Sequence, residues 1–147
     1  MIALAACGGS ASDGEIARTY DPCAPIALDL AGATAEQASG VAGGVMLWRA
    51  AGVTGLDATA GETIAVRFET AAPAFHGFYD DTAGVVYVNT DVVDPGALAI
   101  VVAHELGHAF GLVHVKDRTS LMNPGNVSTP PTDDDRAALA ALWGACP

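Results

Sequence analysis

Basic residues are scarce in this 147-residue chain, where six lysines and arginines stand against seventeen aspartates and glutamates, giving a formal net charge of −11. This imbalance argues against nucleic acids and anionic membrane surfaces as partners, because both would repel the protein. The chain also lacks any run of about eighteen apolar residues, the minimum for a membrane-spanning helix. Its hydrophobic content of 51% is sufficient for a single globular domain with one core.

Histidine is also rare, yet three of the four histidines lie between positions 104 and 114. On a helix, His104 and His108 would project from one face, one turn apart, and could reach the same metal ion. Gly111 can end that helix in the left-handed conformation and turn the chain so that His114 returns as a third ligand. Three protein ligands leave one position of a tetrahedral zinc open, which is typical of catalytic sites, and Glu105 is placed as general base. The alternative is a set of ordinary core or surface histidines.

The segment from His104 to His114 matches the extended zinc-binding signature of the metzincin endopeptidases, which this chain therefore resembles. A second feature of that family, the methionine turn, is similar to Ser120-Leu121-Met122-Asn123-Pro124. The resemblance implies that Met122 forms a hydrophobic floor beneath the imidazoles. It also implies that Asn123 and Pro124 wall the pocket for the substrate side chain that follows the scissile bond. The short spacing and the Leu-Met-x-Pro sequence are most similar to the matrixins or small bacterial relatives.

The resemblance implies a zinc-dependent endopeptidase that hydrolyses peptide bonds in proteins with one catalytic Zn²⁺. The implied fold is α+β, a twisted, mostly parallel sheet with an antiparallel edge strand, a catalytic helix, the methionine turn and a C-terminal helix. We expect a monomer that acts on protein or peptide substrates. The competing hypothesis is a surface-anchored zinc-binding lipoprotein with a non-proteolytic role, against which Glu105 argues because a structural zinc site needs no base.

The three cysteines divide by position. Leu4-Ala5-Ala6-Cys7 resembles the end of a bacterial lipoprotein signal peptide, so Cys7 is a lipidation candidate, and the Gly- and Ser-rich residues 8–14 read as a tether. We expect residues 1–22 to be a truncated signal and tether, and residues 23–147 to be one metalloprotease domain. Only six residues precede Cys7, which is short for a signal peptide. A rival role for Cys7 is an inhibitory thiolate on the zinc.

If Cys7 is lipidated, Cys23 and Cys146 remain as a pair that could join the two ends of the domain. A disulfide would imply an oxidising compartment. We therefore expect an extracytoplasmic protein, either secreted or lipid-anchored at a bacterial surface or in the periplasm, with the lipid on Cys7 as its membrane attachment.

Local patterns predict the first elements. Residues 24–30 form a short apolar segment that predicts a strand, and Thr34 with Gln37 forms a capping-box pair that indicates the start of a helix. One face of that helix is apolar and consists of Ala38, Val41, Val45 and Trp48. We expect Trp48 in the core. Three glycines on the same helix favour close packing on a sheet: Gly40, Gly43 and Gly44.

Alternation predicts strands at residues 63–68 and 84–89. Between them, residues 74–79 lie where metzincins place the edge strand beside the substrate, so Phe75, His76 and Gly77 are candidate substrate contacts. Two alternatives for His76 are a ligand of a second metal and a partly exposed residue of the edge strand. Asp80 and Asp81 allow a calcium site, but a polar turn is favoured.

Two later helices also have clear starts. Asp94 is a good N-cap and Pro95 suits the first helical position, so the catalytic helix is predicted to run to about Phe110. Thr132 predicts the cap of a last helix, in which residues 133–135 are aspartates that favour the positive end of its dipole. We interpret this acidic triplet as structural rather than functional. Docking of the last helix is expected through Leu139, Leu142 and Trp143.

Overall fold

The computed structural model describes residues 14–147 and contains one four-stranded sheet. Its strands are β1 (Ile26–Asp29), β2 (Glu62–Glu69), β3 (Gly77–Asp80) and β4 (Val85–Asn89), in the order β1-β2-β4-β3. β1, β2 and β4 are parallel, whereas β3 pairs antiparallel with β4 at the edge. The predicted mostly parallel sheet with an antiparallel edge strand is therefore confirmed.

Three helices complete the described chain: α1 (Ala35–Ala50), α2 (Pro95–Ala109) and α3 (Asp133–Trp143). The side chains of Thr34, Asp94 and Thr132 accept the hydrogen bonds that cap their first turns, as predicted. Thr34 and Gln37 form the expected capping box. Within residues 14–147, no helix combines the length and the apolar character needed to cross a membrane.

The glycines of α1 pack against α2, so the expectation that they pack on a sheet is wrong. A Cβ atom at Gly40 would lie 2.3 Å from Leu98, and one at Gly44 would lie 2.8 Å from Val102. The two helices can approach this closely only because glycine has no Cβ atom. The sequence pattern shows that one face of α1 consists of small residues, but it does not show which element lies opposite.

The second helix is buried along most of its length, including every residue from Ile100 to Ala109. Trp48 of α1 is fully buried, and its indole N–H donates to the carbonyl of Ala103 at 2.8 Å. The indole also meets the ring of Phe110 edge-on, with the centroids 5.6 Å apart. These contacts hold α2 as a rigid support.

A disulfide joins Cys23, just before β1, to Cys146, just after α3. It fixes α3 to the body of the domain, together with the buried Leu139 and a 2.7 Å hydrogen bond from the Trp143 indole to the carbonyl of Phe110. Leu142, which was also expected to dock this helix, is 55% exposed, and its Cδ1 lies 3.4 Å from the position of a Cβ atom built on Gly111. The lipidation candidate Cys7 lies outside the described residues.

Candidate metal centre and active site

Three imidazoles converge at the carboxyl-terminal end of α2. Nε2 of His114 lies 3.1 Å from Nε2 of His104 and 3.2 Å from Nε2 of His108. Nitrogens that share a tetrahedral zinc at roughly 2.0–2.1 Å are about 3.3 Å apart, so both distances fit one ion. This cluster is the one group of three metal-ligating side chains found among the residues from Gly14 onward.

Hydrogen bonds fix the tautomers of the two helical histidines. Nδ1 of His104 lies 2.7 Å from the carbonyl oxygen of Leu121, and Nδ1 of His108 lies 2.7 Å from that of Leu112. A carbonyl can only accept, so each Nδ1 carries the proton and each Nε2 presents a lone pair to the cluster. Burial lowers the pKa of His104 to about 4 and that of His108 to about 3, which keeps both rings neutral, as metal ligands must be.

The chain turns after α2 to bring His114 back to the helix. Gly111 has a φ of 97°, a left-handed conformation that side chains disfavour. Its N–H donates to the carbonyl of His108, and the N–H of Leu112 donates to that of Gly107. These bonds form a glycine C-cap of the kind expected from the sequence. They set the direction in which the third imidazole approaches the other two.

The methionine turn lies against the same stretch of α2. Met122 is buried, and its sulfur would lie 2.6 Å from a Cβ atom built on Gly107, so the glycine leaves room for the thioether. The Met122 carbonyl accepts a 3.0 Å hydrogen bond from the N–H of Val115, the residue after His114. Packing on one side and a backbone bond on the other therefore connect this turn to the ligand helix and to the ligand loop.

Asp135 of α3 anchors the methionine turn, a role that the sequence pattern does not indicate. Its carboxylate accepts hydrogen bonds from the Ser120 hydroxyl at 2.5 Å and from the Leu121 N–H at 2.9 Å. It also accepts from the N–H and hydroxyl of Thr132, which completes a capping box. The Leu121 carbonyl accepts from His104, so Asp135 is linked through Leu121 to this candidate metal ligand. In the sequence, Asp135 is visible only as the carboxylate of a capping box, and helix capping alone is enough to explain it.

Glu105 lies beside the triad and is 3% exposed. Burial raises the pKa of its carboxyl to about 8, against a smaller lowering by a backbone hydrogen bond from Tyr79. Among the described residues, Oε2 is a buried side-chain oxygen with no hydrogen-bond partner. A Cβ atom on Gly77 would lie 2.9 Å from both Cγ and Oε1, so the glycine at the start of β3 makes room for this carboxyl.

A small cavity of about 20 Å³ opens at His104, His114 and Glu105. It is also bordered by His76 and Gly77, where β3 begins, and by Gly125 and Asn126, after the methionine turn. Of the residues proposed from the sequence as substrate contacts, His76 and Gly77 therefore lie at this cavity.

The other proposed contacts lie away from the cavity lining. Phe75, Asn123 and Pro124 do not border it, and their assignment to substrate binding stays a prediction. The Asn123 amide instead donates to the carbonyl of Val115 at 3.2 Å and so steadies the loop that carries the third histidine. Asn126, which was not among the predicted site residues, donates to the carbonyl of Thr129 at 2.7 Å. The Pro-Gly-Asn sequence indicates a turn, and in turns an asparagine side chain commonly forms hydrogen bonds with the nearby backbone.

The adjacent aspartates Asp80, which ends β3, and Asp81 form a polar turn toward β4, as favoured from the sequence. The Asp80 carboxylate accepts from the backbone N–H groups of Thr82 and Ala83, each at 3.0 Å. Asp81 accepts from the N–H of Ala17 at 2.6 Å. Both carboxylates thus have a structural role in holding this end of the sheet.

Comparison with known proteins identifies the family. The sequence model of the matrixin family matches residues 57–144, a stretch that contains the histidine triad and the methionine turn. The chain belongs to the matrixin family. Among curated proteins, matrix metalloproteinase-27 of Tupaia belangeri is 41% identical over 56 residues, covering 35% of this chain and 11% of that protein. The Homo sapiens protein of the same name is 42% identical over 55 residues, covering 34% and 11%.

The match spans about a tenth of the length of these curated relatives. Two solved structures of myroilysin share the fold of this matrixin over most of its length. The first has a TM-score of 0.64 at 13% identity and covers 96% of this chain and 94% of that one. The second has a TM-score of 0.61 at 12% identity, with coverages of 86% and 82%. The expected metzincin-like α+β fold is confirmed.

Proposed function

We propose that this matrixin is a zinc-dependent endopeptidase in which His104, His108 and His114 hold the ion and Glu105 is the general base. The observation that carries the proposal is the convergence of three imidazole Nε2 atoms beside a buried carboxyl whose Oε2 has no hydrogen-bond partner among the described residues. A structural zinc site would not need an acid or base at that position.

The chemistry divides between the ion and the protein. Bound zinc supplies Lewis acidity, which polarises a carbonyl and makes a water molecule more acidic. Glu105 takes a proton from the attacking water through its carboxylate and returns it to the departing amine nitrogen. Burial raises the pKa of this carboxyl, which favours its holding the proton until the amine nitrogen takes it. Gly77 keeps the space that the carboxyl needs in order to reach the substrate.

The substrate is proposed to bind in an extended conformation along β3. This strand pairs only with β4 within the sheet, so its outer edge can form backbone hydrogen bonds with a peptide. The peptide would then cross the cavity that His76 and Asn126 both border. Recognition through the backbone suits an enzyme that cleaves within proteins, because it does not depend on one substrate sequence.

The setting of the enzyme follows from the disulfide. Cys23 and Cys146 are bonded, and such bonds persist in oxidising compartments. We therefore propose that residues 23–147 act as one extracytoplasmic protease domain, working as a monomer. Lipid attachment at Cys7 remains a proposal from the sequence.

The test replaces the proposed base and leaves the ligands intact. Glu105→Gln is expected to bind one zinc per chain, like the wild type, while cleavage of denatured casein falls by at least about a thousandfold. The measurements are zinc content by mass spectrometry and the rate at which new amino termini appear. Glu36→Gln, a matched change in the exposed first turn of α1, is the control and retains wild-type rates. One zinc without cleavage by the wild type would instead support the non-proteolytic zinc-binding lipoprotein.

A further inference from the structure

An open groove of about 380 Å³ lies beside the cavity at the histidine triad. It is bordered by the chain before β3, by the segment that joins β4 to α2, by the first turn of α2 and by Val127. The catalytic scheme proposed above makes no use of this groove.

The groove and the cavity adjoin at two segments of the chain. His76, just before β3, borders both spaces. In the second segment, Gly125 and Asn126 border the cavity, and Val127, the next residue, borders the groove. A peptide that follows β3 through the cavity therefore passes directly into the groove. In the cavity, the Glu105 oxygen that has no partner among the described residues already indicates that a polar ligand group belongs there.

The position of the groove sets which part of a substrate reaches it. β3 runs from Gly77 to Asp80, and the groove lies at the beginning of the strand, beside Pro73 and His76. We take the substrate to pair antiparallel to β3, the commoner arrangement of neighbouring strands, so that its carboxyl-terminal part points toward the groove. The groove would then receive residues that follow the scissile bond.

The lining of the groove favours a long side chain with a positive end. Val92, Val127 and the strongly exposed Val93, at 79%, provide apolar surface for a hydrocarbon stem. Two carboxylates, Asp91 and Asp94, lie on the same border, and no lysine or arginine does. Lysine and arginine side chains combine such a stem with a cationic head. Asp94 caps α2, where the helix dipole offsets part of its charge, so Asp91 exerts the larger attraction.

We propose that this groove is a specificity subsite that selects lysine or arginine on the carboxyl-terminal side of the scissile bond. The inference rests on the proposed endopeptidase function and deepens it by naming a substrate class. Asp91 and Asp94 are specificity-determining residues that take no part in bond cleavage.

The test compares matched substrates and matched variants of the zinc-loaded full chain. Cleavage sites in denatured casein are first mapped by mass spectrometry. Pairs of quenched fluorescent peptides are then made with lysine or norleucine at each position after the cut. Norleucine keeps a linear apolar stem but has no charge. The measured quantity is the ratio of kcat/KM for the lysine peptide to that for the norleucine peptide.

Wild-type protein is expected to prefer lysine about fivefold at one position after the cut, and the preference should shrink at high salt. Asp91→Asn should remove most of this preference. Asp94→Asn, which keeps a good N-cap residue, should remove less of it. Glu62→Gln makes an equal change of charge at an exposed position on β2 and should leave the ratio unchanged.

Two different failures are distinguishable. Cleavage with no lysine preference, or a preference that Asp91→Asn leaves intact, would overturn the subsite and leave the endopeptidase standing. Absence of any cleavage by zinc-loaded wild type would overturn the proposed function, and the subsite with it.

Discussion

The two parts of the proposed metal centre are built in different ways. The helical part, α2, places His104, Glu105 and His108 through regular backbone geometry, and all three side chains are buried. The irregular part, residues 110–131, supplies His114 and Met122 with no helix or strand of its own. Its shape depends instead on hydrogen bonds from side chains to the backbone and on Asp135 of α3, which accepts hydrogen bonds from the methionine turn.

This contrast shows that the side chains of one site can be positioned in two ways, by regular helix geometry and by individual hydrogen bonds. A helix fixes the relative positions of residues four apart without any help from their side chains. An irregular segment is held by individual hydrogen bonds, so its position depends more strongly on each anchoring group. Changes to the anchors of residues 110–131 should therefore disturb the centre while α2 remains folded.

The largest expected effect on stability comes from the disulfide, which fixes the helix that carries Asp135. Replacing Cys23 and Cys146 together with serine removes a link between residues 123 positions apart. In the chain-entropy account, this lowers the free energy of unfolding by about 4–5 kcal/mol. Hydrogen exchange should show α3 and residues 110–131 losing protection before α2 does. Simultaneous loss of protection in all three would contradict the distinction between the two parts.

A smaller effect is expected from the anchor of the methionine turn. Asp135→Asn removes the charge that strengthens hydrogen bonds from Ser120 and Leu121, and it should lower the free energy of unfolding by about 2–3 kcal/mol. Because the Leu121 carbonyl orients His104, zinc affinity should also fall about 10- to 100-fold. Competition with a fluorescent chelator measures the affinity, and chemical denaturation measures the stability.

The matched control for this change is Asp134→Asn, which alters the same charge on the exposed side of the same helical turn. It should leave zinc affinity at the wild-type value. Equal losses of affinity in the two variants would mean that Asp135 acts only through the overall charge of the protein.

The smallest effect is expected at an ion pair in the sheet. Arg67 on β2 pairs with Asp29 on β1, and this hydrogen bond holds the pKa of the Asp29 carboxyl below its ordinary value of 3.8. A lowered pKa means that the stabilisation is present above about pH 4 and is lost as the pH falls through the folded-state value. Asp29→Asn should therefore lower the thermal midpoint slightly at pH 6, and the two proteins should converge once the pH lies below the folded-state pKa of Asp29. Zinc affinity should be identical in both.

The sequence predicts the elements whose signals are local. Thr34, Asp94 and Thr132 mark three helix starts correctly because N-capping depends on neighbouring residues only. The strands at residues 63–68 and 84–89 follow from alternation and appear as β2 and β4. The first strand also forms, although it is shorter than the apolar segment that indicates it.

The features that the sequence does not predict depend on contacts between distant residues. Small residues on α1 show a face for close packing, but only the fold shows that α2 occupies it. Asp135 looks like an ordinary capping residue until the methionine turn is placed against it. Likewise, Asn126 borders the cavity because of the path taken by the whole segment after Met122, which no short pattern specifies.

The most direct test is a crystal structure of the zinc-loaded protein with anomalous scattering recorded at the zinc edge. We expect a single strong anomalous peak within about 2.0–2.1 Å of Nε2 of His104, His108 and His114, with Oε2 of Glu105 close by but not bonded to the ion. That result would show that the helical and irregular parts meet at one metal. A peak elsewhere, or a peak that His114 does not contact, would contradict it.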